Sequence, residues 1–186
     1  MADVTKEEMA LYVAAREGAH THTESDITDL VHTGAFAVQL LHVRDKKAAG
    51  TAGGASFANA WTQRDLNESV TNEITGASLA SDQITLPAGT YHCEAMAPCF
   101  ASNNNRVRLQ DTTGAATLLH GVNVLSGADS TTLSPAVGRF TISVESVIEL
   151  QHNVRTANAS GFGLAVNAFF TVSNEYYSDV RIWKVG

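Results

Sequence analysis

Residues 83–100 read QITLPAGTYHCEAMAPCF. Pro87 and Gly89 sit at its middle and mark a turn, because proline presets a turn φ and glycine accepts the positive φ that many turns require. On either side lie QITLP (83–87) and TYHCEAMAPCF (90–100), two runs without helical spacing. The stretch is therefore strand, turn, strand. The same pattern extends in both directions. Upstream are AFAVQLLHV (35–43), a Gly/Ala-rich loop KKAAGTAGGASFANA (46–60), WTQRDL (61–66) and SVTNEI (69–74). Downstream are RVRLQD (106–111), ATLLHGVNVL (116–125), GRFTISV (138–144), VIELQHNV (147–154), FGLAVNAFFTV (162–172) and DVRIWKV (179–185). Short strands at fairly regular spacing, divided by Gly, Asn, Ser and Asp clusters, predict an all-β fold, a sandwich or jelly roll. No internal repeat, Gly-X-Y tract or heptad run is present.

The first thirty residues differ in kind. TKEEMALYVAARE (5–17) predicts a short helix: Thr5 and Glu8 form a capping box, and Gly18 supplies the stop. A helix this short is not stable alone and must pack against copies of itself or another protein. Residues 1–30 hold seven acids against Lys6 and Arg16, so −5 of the chain's net −7 lies there and −2 on the other 156 residues. The expected organisation is an N-terminal anchor helix and junction over 1–34 and a β-rich head over 35–186. At 186 residues the chain can bury a real core, and 44% hydrophobic with 17% charged residues is ordinary globular composition. No apolar run reaches the length of a membrane span, so no membrane insertion is expected. The N-terminus lacks a basic-then-apolar signal pattern, so export by a standard signal peptide is not expected. No basic stripe is present, which disfavours nucleic acid as a partner.

Chemistry-bearing residues are sparse. No GxSxG elbow, HExxH, P-loop or CxxC is present, and the expectation is a protein that is not an enzyme. Cys93 and Cys99 lie on one predicted strand, roughly 20 Å apart if it is extended. A disulfide needs Cα atoms within about 7 Å, so they bridge only if the strand folds back at Pro98. Buried free thiols and assembly in a reducing compartment are the better reading. His32, His42, His92, His120 and His152 read as ordinary sheet or surface histidines.

The stretch HTHTESDITDL (20–30) is different, because His20 and His22 are spaced i, i+2 and share a face if extended. Two imidazoles fall short of the four ligands zinc usually takes. Three chains meeting there would supply six nitrogens, a set suited to an octahedral transition-metal ion such as iron or nickel and less to zinc. The plain alternative, which composition alone favours, is a solvated turn with Thr21 and Thr23 making the local hydrogen bonds.

His20-Thr21-His22 followed by Ser25-Asp26-Ile27-Thr28-Asp29-Leu30 resembles the junctions of bacteriophage head and tail fibres, in which three chains intertwine and axial HxH histidines can hold a metal. LPAGTYHCEAMAP (86–98), RVRLQDTTGAATLLHG (106–121), GRFTISVESVIELQHNV (138–154) and DVRIWKV (179–185) resemble phage-encoded relatives of the C1q/TNF-like jelly roll. The order of these stretches along the chain carries the likeness. It implies a homotrimer whose inner sheet includes the first and last strands, AFAVQLLHV and DVRIWKV. Val180, Ile182 and Trp183 would then lie at the trimer axis, or Trp183 is simply core. Secreted C1q-like proteins carry a signal peptide and collagen, and neither pattern is present here. That departure favours a virion protein assembled in the host cytoplasm.

Three loops are the candidate receptor contacts: Asn103, Asn104 and Asn105; Asp129 and Ser130; Asn158 and Ser160. Small polar side chains suit a host polysaccharide, and they are equally what any exposed turn contains. The expected function is a phage virion structural protein, a short homotrimeric head or tail fibre that docks on a capsid or tail protein through residues 1–18. The alternatives are a capsid decoration protein without receptor binding, or a free-standing carbohydrate-binding module.

Overall fold

A computed structural model describes residues 38–166 and 173–186. The helix over 5–17, the His20/His22 junction and residues 167–172 of the strand expected over 162–172 lie outside the described residues. Val38–Gly186 forms one compact unit. Its described strands are β1 (Gln39–Ala48), β2 (Trp61–Gln63), β3 (Glu68–Asn72), β4 (Ser78–Ala80), β5 (Gln83–Leu86) and β6 (Gly89–Phe100). They continue with β7 (Asn103–Asp111), β8 (Ala116–His120), β9 (Val124–Ser126), β10 (Thr131–Ile142), β11 (Ser146–Val154) and β12 (Asn174–Lys184). Two antiparallel sheets result, in the orders β10-β6-β12-β1-β3 and β4-β5-β11-β7-β8, with β2 added to β11 and β9 to β7. The protein is an all-β jelly-roll sandwich.

Alternation along the strands builds the core. On β6, Tyr91, Cys93, Ala95, Ala97 and Cys99 all point between the sheets and are buried. Leu41 and Val43 of β1 and Val180 and Ile182 of β12 join them, and the facing sheet supplies Ile84, Leu86, Val107, Leu109, Ile148 and Leu150. The ring of Tyr91 stacks on Phe140 with centroids 5.5 Å apart, and its hydroxyl donates to the Pro87 carbonyl at 2.7 Å. That bond ties the quoted turn to the core. Each fully buried Leu or Ile contributes about 1.5–3 kcal/mol. β6 runs straight through Pro98, so Cys93 and Cys99 stay apart as free, buried thiols, both pushed up in pKa by burial.

β1 and β12 are neighbours at the middle of the first sheet, with Leu41 opposite Ile182 and Val43 opposite Val180. Several boundaries differ from expectation for local reasons. The run over 116–125 splits into β8 and β9 at Gly121, where a Cβ would stand 2.6 Å from the Pro135 carbonyl and 2.8 Å from that of Val107. β1 continues to Ala48 through two lysines expected in a loop, because Lys46 pairs with Glu68 at 2.7 Å and Lys47 with Asp65. β10 begins at Thr131 rather than 138, since Ser126 Oγ sits 2.8 Å from the carbonyls of both Cys99 and Ser130, its one proton shared between them, and closes the preceding turn. Residues 162–166 are irregular: Phe162 N–H donates to Gly54 at 3.0 Å and Gly163 N–H to Ser160 at 3.0 Å, both in loops, and Val166 N–H donates to the Glu175 carboxylate at 3.1 Å rather than to a strand backbone. β4 was not foreseen.

Candidate functional site

The three predicted loops meet at one end of the sandwich. Ala101 N–H donates to Ser130 O at 3.1 Å, Thr156 N–H to Ser102 O at 3.0 Å, and Arg155 N–H to Asn104 O at 2.8 Å. Ser56 Oγ and Ser102 Oγ share a hydrogen bond of 2.9 Å, and Ser56 N–H donates to Asn158 O at 2.9 Å. Gly161 is required at this junction, because a Cβ there would run into Ser56 Oγ and come within 2.6 Å of Ser102 Oγ.

Within that cluster the predicted residues differ in role. Asn103 and Asn104 are exposed, and Asn103, at φ 64, accepts the Asn104 N–H on its own Oδ1 at 2.9 Å. Asp129, at φ 58, and Ser130 are exposed at the turn into β10. Asn158 Oδ1 caps the Ser160 N–H at 2.8 Å, so this pair shapes its own loop. Asn105 does not fit the expectation. It is buried, and its carboxamide faces inward to His152 and to the carbonyls of Asn103 and Val124.

The expected axis residues fall on two faces of β12. Val180 and Ile182 are fully buried between the two sheets, so neither faces outward from this head. On an alternating strand the apolar positions go to the sandwich interior, and Asp179, Arg181 and Trp183 take the other face. Trp183 is half-buried there, its ring 5.8 Å from that of His92, across from it on β6. Asp179 on the same face pairs with His42 at 2.8 Å and Arg181 at 3.2 Å.

Beneath the loop cluster lies a buried pin. Arg64 is fully enclosed, with Nε donating to Ser178 Oγ at 3.0 Å, Nη1 to Pro98 O at 3.2 Å and Nη2 to Phe162 O at 2.8 Å. Its guanidinium lies 4.2 Å over the Phe162 ring, whose other neighbour is His152, stacked at 5.6 Å. Pro98 has no N–H for the sheet, and the β12 ladder stops at Met96, so Arg64 occupies the position where pairing ends. His152 accepts from Arg64 on Nδ1 at 3.5 Å and donates from Nε2 to Asn105 Oδ1 at 3.0 Å. Burial first, and Arg64 second, push its pKa down to about 3, so His152 is neutral at ordinary pH. Burial likewise brings Arg64 down to about 10, still protonated.

On the outer face of the second sheet opens a cleft of about 620 Å³, lined by Trp61, Asn104, Arg106, Asn123, Leu125 and Asn153 among others. Asn153 stands opposite Trp61 on one side and Arg106 on the other, so the ladder β2-β11-β7 sets the three in a row. The guanidiniums of Arg108 and Arg106 lie 4.2 and 5.9 Å from the Trp61 ring centroid. Of the predicted contacts, Asn104 lines this cleft with an exposed side chain. Trp61, Arg106, Asn123 and Asn153 were missed, although RVR in 106–108 places two arginines on one strand face. Among the described residues, no three His, Cys, Asp or Glu side chains cluster as a metal site.

The architecture has solved counterparts. Murine APRIL matches at a TM-score of 0.52 and 11% identity, over 80% of this chain and 99% of the other. The globular domain of zebrafish complement 1qA protein matches at 0.51 and 8%, over 80% and 98%. PRD1 vertex protein P5 matches at 0.48 and 17%, too loosely to argue from. No protein-family model and no curated protein matches the sequence. The head is therefore a C1q/TNF-like jelly roll, a statement about fold alone.

Proposed function

We propose that the chain is a virion structural protein of a bacteriophage: a short homotrimeric head or tail fibre, without enzymatic activity, that contacts host-surface glycans. The observation that carries the assembly is the outward face of the sheet holding both β1 and β12. On its edge strand β10, Leu133 and Val137 are each 58% exposed and flank Pro135. This stripe runs into an apolar groove of about 420 Å³ shared by Leu133, Leu164, Val166 and Tyr176. A long edge strand bearing apolar side chains calls for cover, and copies of the same chain supply it in a closed ring. The edge itself is blunted by Pro135 and by Val122 N–H donating to the Pro135 carbonyl at 3.2 Å, so side chains rather than added strands make the contact.

Packing through that sheet leaves the opposite sheet, with its polar cleft, facing outward. The acidic segment over 1–18 docks on a capsid or tail protein, and the fibre-like junction brings His20 and His22 of three chains together around an octahedral metal ion. The protein resides in the virion and is assembled in the host cytoplasm. No helix among the described residues is long and apolar enough to cross a membrane.

Mass measurement in solution tests the assembly: the reading requires three times the 19.7 kDa chain, and a stable monomer refutes it. Deleting residues 1–18 is expected to leave a soluble trimer that no longer enters virions, and retained incorporation would remove the anchor.

A further inference from the structure

We infer that the cleft between β2, β7, β9 and β11 binds an anionic saccharide, a sugar bearing a carboxylate or phosphate, with Arg106 as the residue that grips the charge. The inference rests on the reading of the head as a glycan-contacting module and specifies its ligand class. Arg108 is already committed. Its Nε donates to Gln151 Oε1 at 2.8 Å and its Nη1 to Thr117 Oγ1 at 3.2 Å, while its plane packs on Trp61. Arg106 is not. Among the described residues it has no hydrogen-bond or ion-pair partner, and its contact is the distant edge of the Trp61 stack.

No carboxylate lines the cleft to neutralise Arg106. Glu149, the acid that acts electrostatically on Arg108, accepts from Gln83 Nε2 at 2.7 Å and from Gln151 Nε2 at 2.6 Å with its two oxygens. Arg108 has its pKa lowered, by burial and then by Arg106 beside it. Glu149 offsets part of the charge on Arg108, which leaves Arg106 beside a like charge with no ion-pair partner of its own among the described residues; a guanidinium fork in that position matches a carboxylate or phosphate in two parallel hydrogen bonds.

The remaining lining supplies the sugar part. The side chains of Asn104, Asn123 and Asn153 have no hydrogen-bond partner among the described residues, and each offers both a donor and an acceptor to hydroxyl groups. Leu125, 62% exposed beside them, gives a small apolar surface for the face of a ring. Long-range repulsion is slight, because only −2 of the net charge lies outside residues 1–30.

Titration calorimetry on the full-length protein tests this with three probes: trigalacturonic acid, a glycerol-phosphate oligomer and neutral maltotriose. The expected result is binding of at least one anionic probe in preference to maltotriose. Arg106→Gln should weaken it about tenfold or more. The control Glu145→Gln, an exposed charge in the turn between β10 and β11, should leave affinity unchanged. Whichever anionic probe binds identifies carboxylate or phosphate as the charge recognised. Failure of both anionic probes, equal binding of maltotriose, or an Arg106→Gln variant of unchanged affinity each overturns the inference. Competition by the soluble head for particle adsorption reads out attachment separately: a wild-type head that competes, matched by Arg106→Gln, sinks the cleft and leaves attachment standing. A wild-type head that does not compete sinks attachment.

Discussion

Replacing Arg64 with methionine removes the buried pin while keeping most of its volume. Four acceptors lose their donor: Ser178 Oγ, Pro98 O and Phe162 O, now at 3.0, 3.2 and 2.8 Å, and His152 Nδ1 at 3.5 Å. Two of these are backbone carbonyls in a site closed to solvent, and each unsatisfied buried group costs about 1–3 kcal/mol. Part of that is offset, because the charge itself no longer has to be held away from water, a cost visible in the downward shift of its pKa to about 10. Methionine also keeps contact with the Phe162 ring. The balance is a loss of about 3 kcal/mol, a large share of the stability of an ordinary domain. For a chain of this size it lowers Tm by roughly 6–12 °C. Urea and thermal unfolding followed by tryptophan fluorescence and circular dichroism measure it. Arg64→Lys should fall in between, since one ammonium cannot reach three acceptors in fork geometry. A methionine variant within about 1 kcal/mol of wild type would refute the claim that this arginine joins the two sheets to the Phe162 loop.

His152 gives a pH signature. Its folded pKa of about 3 lies below the ordinary value of 6.5, so between these pH values the unfolded chain binds the extra proton. Stability is full above pH 6.5 and falls as the pH drops toward 3, by about 1.4 kcal/mol per unit from this group; His152→Leu should flatten that slope in urea midpoints taken at pH 7 and 5. Gly161→Ala should lower Tm by several degrees, because the new methyl collides with Ser56 and Ser102, and Ser56→Gly in the same chain should restore part of it. Changing His20 and His22 to alanine should lower the melting temperature of the trimer and strip bound transition metal; elemental analysis finding no metal in the wild-type trimer would count against the metal.

The sandwich was legible because its signals are local. The Pro87–Gly89 turn and most strand positions are set within a few residues, by turn chemistry and by apolar residues on one face. Features that depend on partners distant in sequence were not. Gly121 reads as part of a strand until the carbonyls of Val107 and Pro135 are placed beside it. The resemblance puts Val180 and Ile182 at a trimer axis, and alternation along β12 defines two faces without saying which of them meets the core. Nothing in QRD over 63–65 marks Arg64 as buried, since its acceptors come from Pro98, Phe162 and Ser178. For the candidate site, the convergence of the three loops follows the strand ends. The Trp61–Arg106 row exists only through the β2-β11-β7 ladder.

The central claim is a trimeric head displayed by a virion, and density for this chain in a map of the intact particle tests it most directly. The account predicts jelly-roll heads in groups of three around a three-fold axis, with the β10-β6-β12-β1-β3 sheets inward and the Trp61–Arg106 cleft outward. Heads present singly, or grouped with the cleft buried, would contradict it, as would a particle that lacks the chain altogether.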